Sequence, residues 1–421
     1  MNRPKILFAA TVAEDTLGGV ELWCGRTAAR LRDRGYDTAI LASTYGGEGD
    51  HIAAESLRAL YTSYGIDTTE LPIIGLSRRG RPPGRAAQAR IAAFFADQLP
   101  DSDDLVILPN ESETAWLCCA GAAWLRRPHR VASIVHTDAT YAYDVLVANR
   151  WLVPTAAAVS TRIRDRIREV SGGTIEAELL PYGVPTRPAM PLEPRPTRGP
   201  LRLGFAGRLL DQHKGILVLP EIVAELRGRG VPSEMWVAGE GPDRGRLGAR
   251  VEELGVGEEF RFFGALAHGD ILRMLASIEL LLMPSHREGI SIVLLEAMAQ
   301  GAVPVTTNVS GARDAIVSHE VGIVVEERSP SAFATACATL AKDRHRLARM
   351  SKAARSRAVE AYSEDTYADR LLSFLEEVLN HPRPSWPRAR LPGGAKAGLS
   401  HRFLPEPLGG FVRRLVSEIA R

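Results

Sequence analysis

Glu288 and Glu296 stand eight positions apart in the stretch HREGISIVLLEAMAQGAVPVTT, residues 286–307, with a glycine, a serine and an aliphatic run between them. The apolar run Leu280–Met283 reads as a buried strand, PSHREG as a loop, and the residues that follow as a helix starting near Ser291 and ending before Gly301, a glycine placed to stop it. Ser291 is expected to cap that start, and the free N–H groups of the first turn would face an anion. Glu288 then lies just outside the helix and Glu296 about one turn inside it. Two carboxylates at one helix mouth suit the vicinal hydroxyls of two sugars, a ribose and a hexose, with phosphates seated between them. The plainer alternative makes Glu296 part of a structural network and leaves Glu288 solvated. An acid and nucleophile pair of a hydrolase is a third reading, but it gives the cations of the next motif no task.

Those cations lie in LGFAGRLLDQHKG, residues 203–215, where a strand ends, Gly207 lets the backbone turn closely, and Arg208 and Lys214 project from the sheet's carboxyl edge. Two fixed cations there suit a pyrophosphate, because they neutralise charge building up on a departing phosphate. Only five lysines (Lys5, Lys214, Lys342, Lys352 and Lys396) stand among the 52 basic residues, so a lysine beside a glycine in this loop reads as chosen for a compact ammonium. The alternative is a pair of solvated loop charges.

Such side chains need strands to hold them, and short apolar runs alternate with helical stretches along most of the chain, the pattern of parallel sheets built from βαβ units. The first series of expected strands covers residues 5–10, 38–42, 105–108, 130–135, 156–159 and 177–180. PTRPAMPLEPRPTRGP, residues 185–200, is too rich in proline to continue either element type. A second series covers residues 201–206, 234–238, 260–263, 280–283, 303–306 and 321–325, followed by helix from Pro330 to about Asn380. The fold class is therefore α/β: two Rossmann-like doubly wound domains facing across a cleft, with C-terminal helices. The first domain is expected over residues 1–186, a linker over 187–200 and the second domain over 201–365. Residues 366–421 are expected to supply a helix packing back on the first domain and a Pro/Gly-rich tail ending in the amphipathic GGFVRRLVSEIAR. In open α/β sheets ligands gather beyond the carboxyl ends of the strands.

With 421 residues, 45% of them hydrophobic and 24% charged, and a net charge of +2, the composition is that of a globular protein with no bias towards nucleic acid. Cys24, Cys118, Cys119 and Cys337 lack the spacing of a disulfide framework or a zinc site, which leads to the expectation of a reducing cytoplasm. The opening MNRPKILFAATVAED has the outline of a signal peptide but reads better as a first strand followed by a Gly-Gly turn. No run approaches the roughly 20 apolar residues that cross a bilayer. SRRGRPPGRAAQAR, residues 77–90, carries five arginines and no acid; a solvated face is the favoured reading, an anionic headgroup or phosphorylated acceptor the other.

Taken in chain order, Gly207-Arg208 with Lys214-Gly215, VAGEGPDRGRL (residues 237–247), FFGAL (262–266), and Glu288-x7-Glu296 followed by GAVPVTT resemble the donor domain of retaining GT-B glycosyltransferases of family 4, which include mycothiol-pathway and phosphatidylinositol mannoside enzymes. GGVE (residues 18–21), His136 at a strand end and PYGV (181–184) extend the resemblance over nearly the whole chain. The resemblance implies that Arg208 and Lys214 bind the diphosphate, Glu296 the ribose, and Glu288 with the backbone of Gly289, Ile290, Ser291 and Ile292 the transferred sugar. It places Gly264, Ala265 and Leu266 at the nucleobase and Gly207 and Gly239 in the donor loops. Gly18 and Gly19 would let the first domain approach the phosphates, and His136 would line the sugar site. GIS after Glu288 departs from the commoner Gly-Phe-Gly. Retention without an evident nucleophile fits a front-face displacement, so Arg208, Lys214, Glu288 and His136 are the expected catalytic set.

On the acceptor side, LPNESETAW (residues 108–116) offers Asn110, Glu111 and Glu113, and HTDATYAYD (136–144) offers His136, Asp138 and Tyr141, groups suited to a polyhydroxylated or amino-bearing acceptor or simply to solvated loops. DSD (residues 101–103) sits in a polar turn rather than a metal site, and GEGPDR (239–244) lacks the third glycine of the dinucleotide fingerprint. The reading is thus a retaining transferase of a hexose-type sugar from a nucleoside diphosphate sugar, with UDP and GDP in view, to a small sugar, cyclitol or metabolite. No cofactor or metal is required, and no nucleic acid is involved; the chain is expected as a monomer or homodimer. A sugar-nucleotide epimerase, a membrane-associated enzyme acting on a lipid-linked acceptor and a non-catalytic sugar-nucleotide sensor are the alternatives.

Overall fold

The computed structural model describes residues 3–12, 19–45, 59–65, 73–76, 105–110, 115–116, 119, 122–123, 128–196, 198–326 and 329–383. The described chain forms two units. One gathers the residues up to Ala158, Ile163–Leu180 and those from Arg370 onward; the other gathers Val159–Arg162 and Pro181–Asp369.

In the first unit β1 (Lys5–Val12), β2 (Asp37–Tyr45), β3 (Ile73–Leu76), β4 (Leu105–Leu108) and β5 (Arg130–Val131) form a parallel sheet in the order β3-β2-β1-β4-β5. β6 (Ser133–Val135), β7 (Thr155–Ala158) and β8 (Glu176–Leu179) form a second parallel sheet. The strand expected over residues 130–135 is therefore two strands, because the chain changes partners at Ala132, whose N–H still bonds the Ile107 carbonyl. Hydrophobic pattern marks the run but not its partner. β3 was not expected; it is a four-residue edge strand in a stretch with no alternation.

The second unit holds β9 (Leu201–Ala206), β10 (Ser233–Ala238), β11 (Phe260–Gly264), β12 (Leu280–Met283), β13 (Val303–Thr307) and β14 (Ile323–Val325), all parallel, in the order β11-β10-β9-β12-β13-β14. This is the doubly wound order, in which the direction of winding reverses between the first and fourth strands and opens a crevice beyond their carboxyl ends. The reversal here lies between β9 and β12. Leu201, Leu203 and Phe205 of β9 and Leu280 and Leu282 of β12 join Ile222 and Leu226 of the Leu219–Gly228 helix and Phe333 and Leu340 of the Pro330–Lys342 helix in one core. Strands covered on both faces read as unbroken apolar runs, and each such side chain contributes about 1.5–3 kcal/mol by leaving water.

The helical stretch after Pro330 is three helices, Pro330–Lys342, Arg344–Tyr362 and Glu364–Asn380. The breaks fall at two capping residues: Asp343 accepts from the Arg346 N–H at 2.7 Å and Ser363 Oγ from the Thr366 N–H at 3.1 Å. The glycine of PYGV also gains a reason, since a Cβ on Gly183 would lie 2.5 Å from the Tyr367 Cβ while Val184 N bonds the Tyr362 carbonyl at 2.8 Å.

The Pro-rich segment packs on the second unit. Arg195 donates to the Leu275, Gln300 and Gly301 carbonyls at 3.2, 2.8 and 2.8 Å, and the Gln300 side chain bonds Arg187 and Ala189. It thus ties down the carboxyl end of the Ile292–Ala299 helix. That end closes as expected at Gly301, whose φ is 78°; Gly301 N bonds Met298 O and Ala302 N bonds Ala297 O, both at 2.8 Å, the paired bonds of a Schellman stop.

Candidate active site

Beyond the carboxyl ends of β9, β10 and β12 three loops meet with almost no space between backbones. A Cβ on Gly239 would sit 1.9 Å from the Gly207 carbonyl oxygen, and one on Gly215, at φ 60°, would sit 2.2 Å from the Pro284 carbonyl oxygen. Glycines at these points let the β9 loop lie against both neighbours. Arg208 follows Gly207, half-buried, and Lys214 closes the short Asp211–Lys214 helix.

Lys214 Nζ lies 2.7 Å from Glu288 Oε1, which also accepts from Ser285 Oγ at 2.8 Å. The structure thus brings together as an ion pair two residues that the sequence reading gave separate tasks. The loop carrying Glu288 is pinned from β13: Thr307 Oγ1 donates to the Ser285 carbonyl at 2.6 Å and Thr306 Oγ1 to the Met283 carbonyl at 3.1 Å. Behind it stands Gly311, φ 74°, where a Cβ would be 2.5 Å from the Gly289 carbonyl oxygen. Ile290 is buried. Burial, then Arg287 and Lys214, lower the pKa of His213, with Arg208 adding to the effect and Glu288 opposing it, so this corner carries a positive field that favours an anion.

Ser291 occupies the residue before the Ile292–Ala299 helix with extended φ and ψ, as a cap would, yet its side chain makes no capping bond. This corrects the capping expectation: the backbone position is that of a cap, but the helix start takes no side-chain acceptor. Glu296, in the second turn, has a side chain only 5% exposed, and its Oε1 lies 2.7 Å from His268 Nε2. Gly264 ends β11 at φ 66° and its carbonyl accepts from Gly239 N at 2.7 Å; Ala265 and Leu266 then lead to the His268–Ser277 helix. Ser285, His268, Thr307 and Gly311 were missed by the sequence reading. Ser285 is three residues before Glu288 on one loop, but His268 and Glu296 are 28 apart and only the fold pairs them.

In the first unit Gly19 opens the Gly19–Asp33 helix after β1. Asn110 follows β4 in the left-handed region, φ 50°, and is 4% exposed. Its Nδ2 donates to the Ala9 carbonyl at 2.5 Å, its carbonyl accepts from Trp116 Nε1 at 3.0 Å, and its Oδ1 lies 3.1 Å from His136 Nε2. The structure gives Asn110 this internal task in place of the acceptor contact expected of it, because both ends of its amide are engaged inside the unit. With Nδ2 on a carbonyl, Oδ1 can only accept, so His136 carries its proton on Nε2.

Burial lowers the His136 pKa to about 3, and its ring packs on Trp23 with centroids 4.8 Å apart. His136 is thus a neutral imidazole near pH 7. Asp138 accepts from Tyr143 OH at 2.6 Å and Tyr141 is 48% exposed. Gly18, Glu111, Glu113, Cys118, the Asp101–Asp103 turn, residues 77–90 and the tail from residue 384 lie outside the described residues.

Arg244 stacks on the Phe262 ring, 3.7 Å from its centroid. Asp243 accepts from Asp211 N at 2.7 Å and from Arg246, so GEGPDR is a structural turn. Among the described residues the grouping close enough to share a metal ion is Glu176, Glu377 and His381, none of them a candidate site residue. No described helix is long and apolar enough to cross a membrane.

Residues 194–357 match the family model described as glycosyl transferases group 1. Among curated proteins the chain is 28% identical over 229 residues to glycogen synthase of Mycobacterium tuberculosis, covering 53% of this chain and 55% of that protein; the match spans about half of that relative's length. It is 24% identical over 410 residues to D-inositol 3-phosphate glycosyltransferase of Corynebacterium urealyticum, covering 90% of this chain and 95% of that protein. Among solved structures, the pneumococcal O-GlcNAc transferase GtfA in complex with UDP and GlcNAc superposes with a TM-score of 0.73 at 13% identity, over 90% of this chain and all of that one.

Proposed function

We propose that the protein, whose residues 194–357 match the model described as glycosyl transferases group 1 and whose fold is GT-B, transfers a hexose-type sugar from a nucleoside diphosphate sugar to a small polyhydroxylated acceptor, with retention at the anomeric carbon. The observation that carries the proposal is the Lys214–Glu288 pair on the loop that leads into the Ile292–Ala299 helix, beyond the strands where the second sheet reverses, with Arg208 near enough to act with Lys214 on the charge of His213. In this reading the diphosphate sits on the helix start and against Arg208 and Lys214, where backbone N–H groups and cations face it together.

Lys214 then exchanges one oxygen anion for another: the phosphate takes the place of Glu288, and Glu288, still held by Ser285, turns its acceptor oxygens to the hydroxyls of the transferred sugar. Charge grows on the leaving phosphate as the glycosidic carbon–oxygen bond breaks, and the same two cations stabilise it. The acceptor hydroxyl attacks from the face the phosphate leaves and passes its proton to a phosphate oxygen, so no side chain has to act as base. The mechanism requires neither metal nor cofactor. The long match to a protein named for D-inositol 3-phosphate supports a cyclitol- or sugar-type acceptor.

Release of nucleoside diphosphate from UDP-, GDP-, ADP- and dTDP-sugars in the presence of cyclitol and sugar acceptors tests the proposal, with the anomeric configuration of the product read by NMR. A retained product supports it. An inverted product removes the front-face mechanism, and an isomerised donor without transfer points to an epimerase.

A further inference from the structure

Glu296 is a carboxylate with almost no exposure, and a charge so placed needs a donor held in a fixed position. His268 supplies one, Nε2 to Oε1 at 2.7 Å. The histidine does not reach out from a free loop. It is the first residue of the His268–Ser277 helix, whose start is fixed by bonds from Asp270 N and Ile271 N to the Ala267 carbonyl, and that helix packs on the one carrying Glu296. It also comes two residues after Leu266, the end of the turn that follows β11. A carboxylate only accepts, so Nε2 carries the proton and the bond fixes the plane of the Glu296 carboxylate.

We propose that His268 is a positioning residue for nucleotide binding: it holds the Glu296 carboxylate in the orientation that meets the ribose diol and ties that carboxylate to the turn beside the base. This rests on the reading in which Glu296 holds the ribose. Losing this donor would loosen the plane of the carboxylate, and the cost would fall on nucleotide affinity rather than on the bond-breaking step.

Isothermal titration of UDP, GDP, ADP and their 2′-deoxy counterparts against the full chain tests this. For the nucleotide that binds, His268→Leu is expected to weaken affinity about tenfold and to narrow the preference for the ribo form. It should raise the donor KM while kcat stays within about threefold. His268→Gln, whose amide nitrogen reaches the same point, restores affinity, and on a Glu296→Gln background His268→Leu adds no further loss. Wild-type affinity in His268→Leu, or a tenfold loss that persists beside Glu296→Gln, overturns the assignment. If Glu296→Gln alone binds as wild type does, or none of the three nucleotides binds, the ribose reading itself falls and takes the positioning role with it. His268→Asn, too short to reach Glu296, carries the same comparisons if the leucine variant fails to fold.

Discussion

Lys214 and Glu288, 74 residues apart in sequence, meet through a 2.7 Å ion pair in which Ser285 shares the same carboxylate oxygen. The pair lies on the loop that leads into the Ile292–Ala299 helix and joins it to the loop after β9. With the lysine side chain 25% exposed and the glutamate 11%, its contribution to folding is modest, about 1 kcal/mol or less.

Lys214→Met is accordingly expected to leave the melting temperature within a few degrees while lowering kcat/KM at least about a hundredfold. Calorimetry and steady-state kinetics on the same preparation check both halves.

Glycine is obligatory where loops press together. Gly239→Ala would push a methyl carbon into the Gly207 carbonyl, a contact of 1.9 Å with φ at 134°, and is expected to cost about 3 kcal/mol or more in urea denaturation. The substitution Gly228→Ala, where no atom lies within 4 Å, is the control and should change stability by less than about 1 kcal/mol.

Acid should weaken the first unit through His136. Its pKa falls from about 6.5 to about 3 on folding, so between those values the unfolded chain binds a proton that the folded chain does not. Stability therefore rises with pH across this window and falls as pH drops through it, by about 1.4 kcal/mol per pH unit. Chemical denaturation of the wild type and His136→Gln between pH 7 and 5 should show the shallower acid loss in the variant. Parallel slopes would mean that the histidine is not buried neutral.

Arg195→Ala leaves the Leu275, Gln300 and Gly301 carbonyls without their guanidinium. The expected loss is about 2–4 kcal/mol, with the Glu296-bearing helix less protected from hydrogen exchange at its carboxyl end.

Much of the fold could be read from the residues because buried parallel strands leave unbroken apolar runs: 105–108, 201–206 and 280–283 begin and end in the structure where the pattern does. The edge strand Ile73–Leu76 left no such trace, since one half-paired strand needs no pattern of its own. Asp343 and Ser363 carried legible capping signals inside a long helical stretch, and their competition with the helix explains the two breaks. At the site, the charges were visible because Glu288 and Glu296 share one helix mouth and Arg208 and Lys214 share one loop. What escaped was every pairing across the fold: His268 with Glu296, Asn110 with His136, Gly311 with Gly289. No local spacing records these, because each joins the ends of different strands.

The central claim is that the reversal of the second sheet binds a nucleoside diphosphate sugar through Arg208 and Lys214. Its most direct test is isothermal titration of UDP-, GDP-, ADP- and dTDP-glucose and -mannose into the wild type and into the Arg208→Met/Lys214→Met double variant. The account predicts that at least one donor binds the wild type with micromolar Kd and binds the folded double variant at least about a hundredfold more weakly. Equal affinity in the two proteins, or no binding of any donor to the wild type, would contradict it.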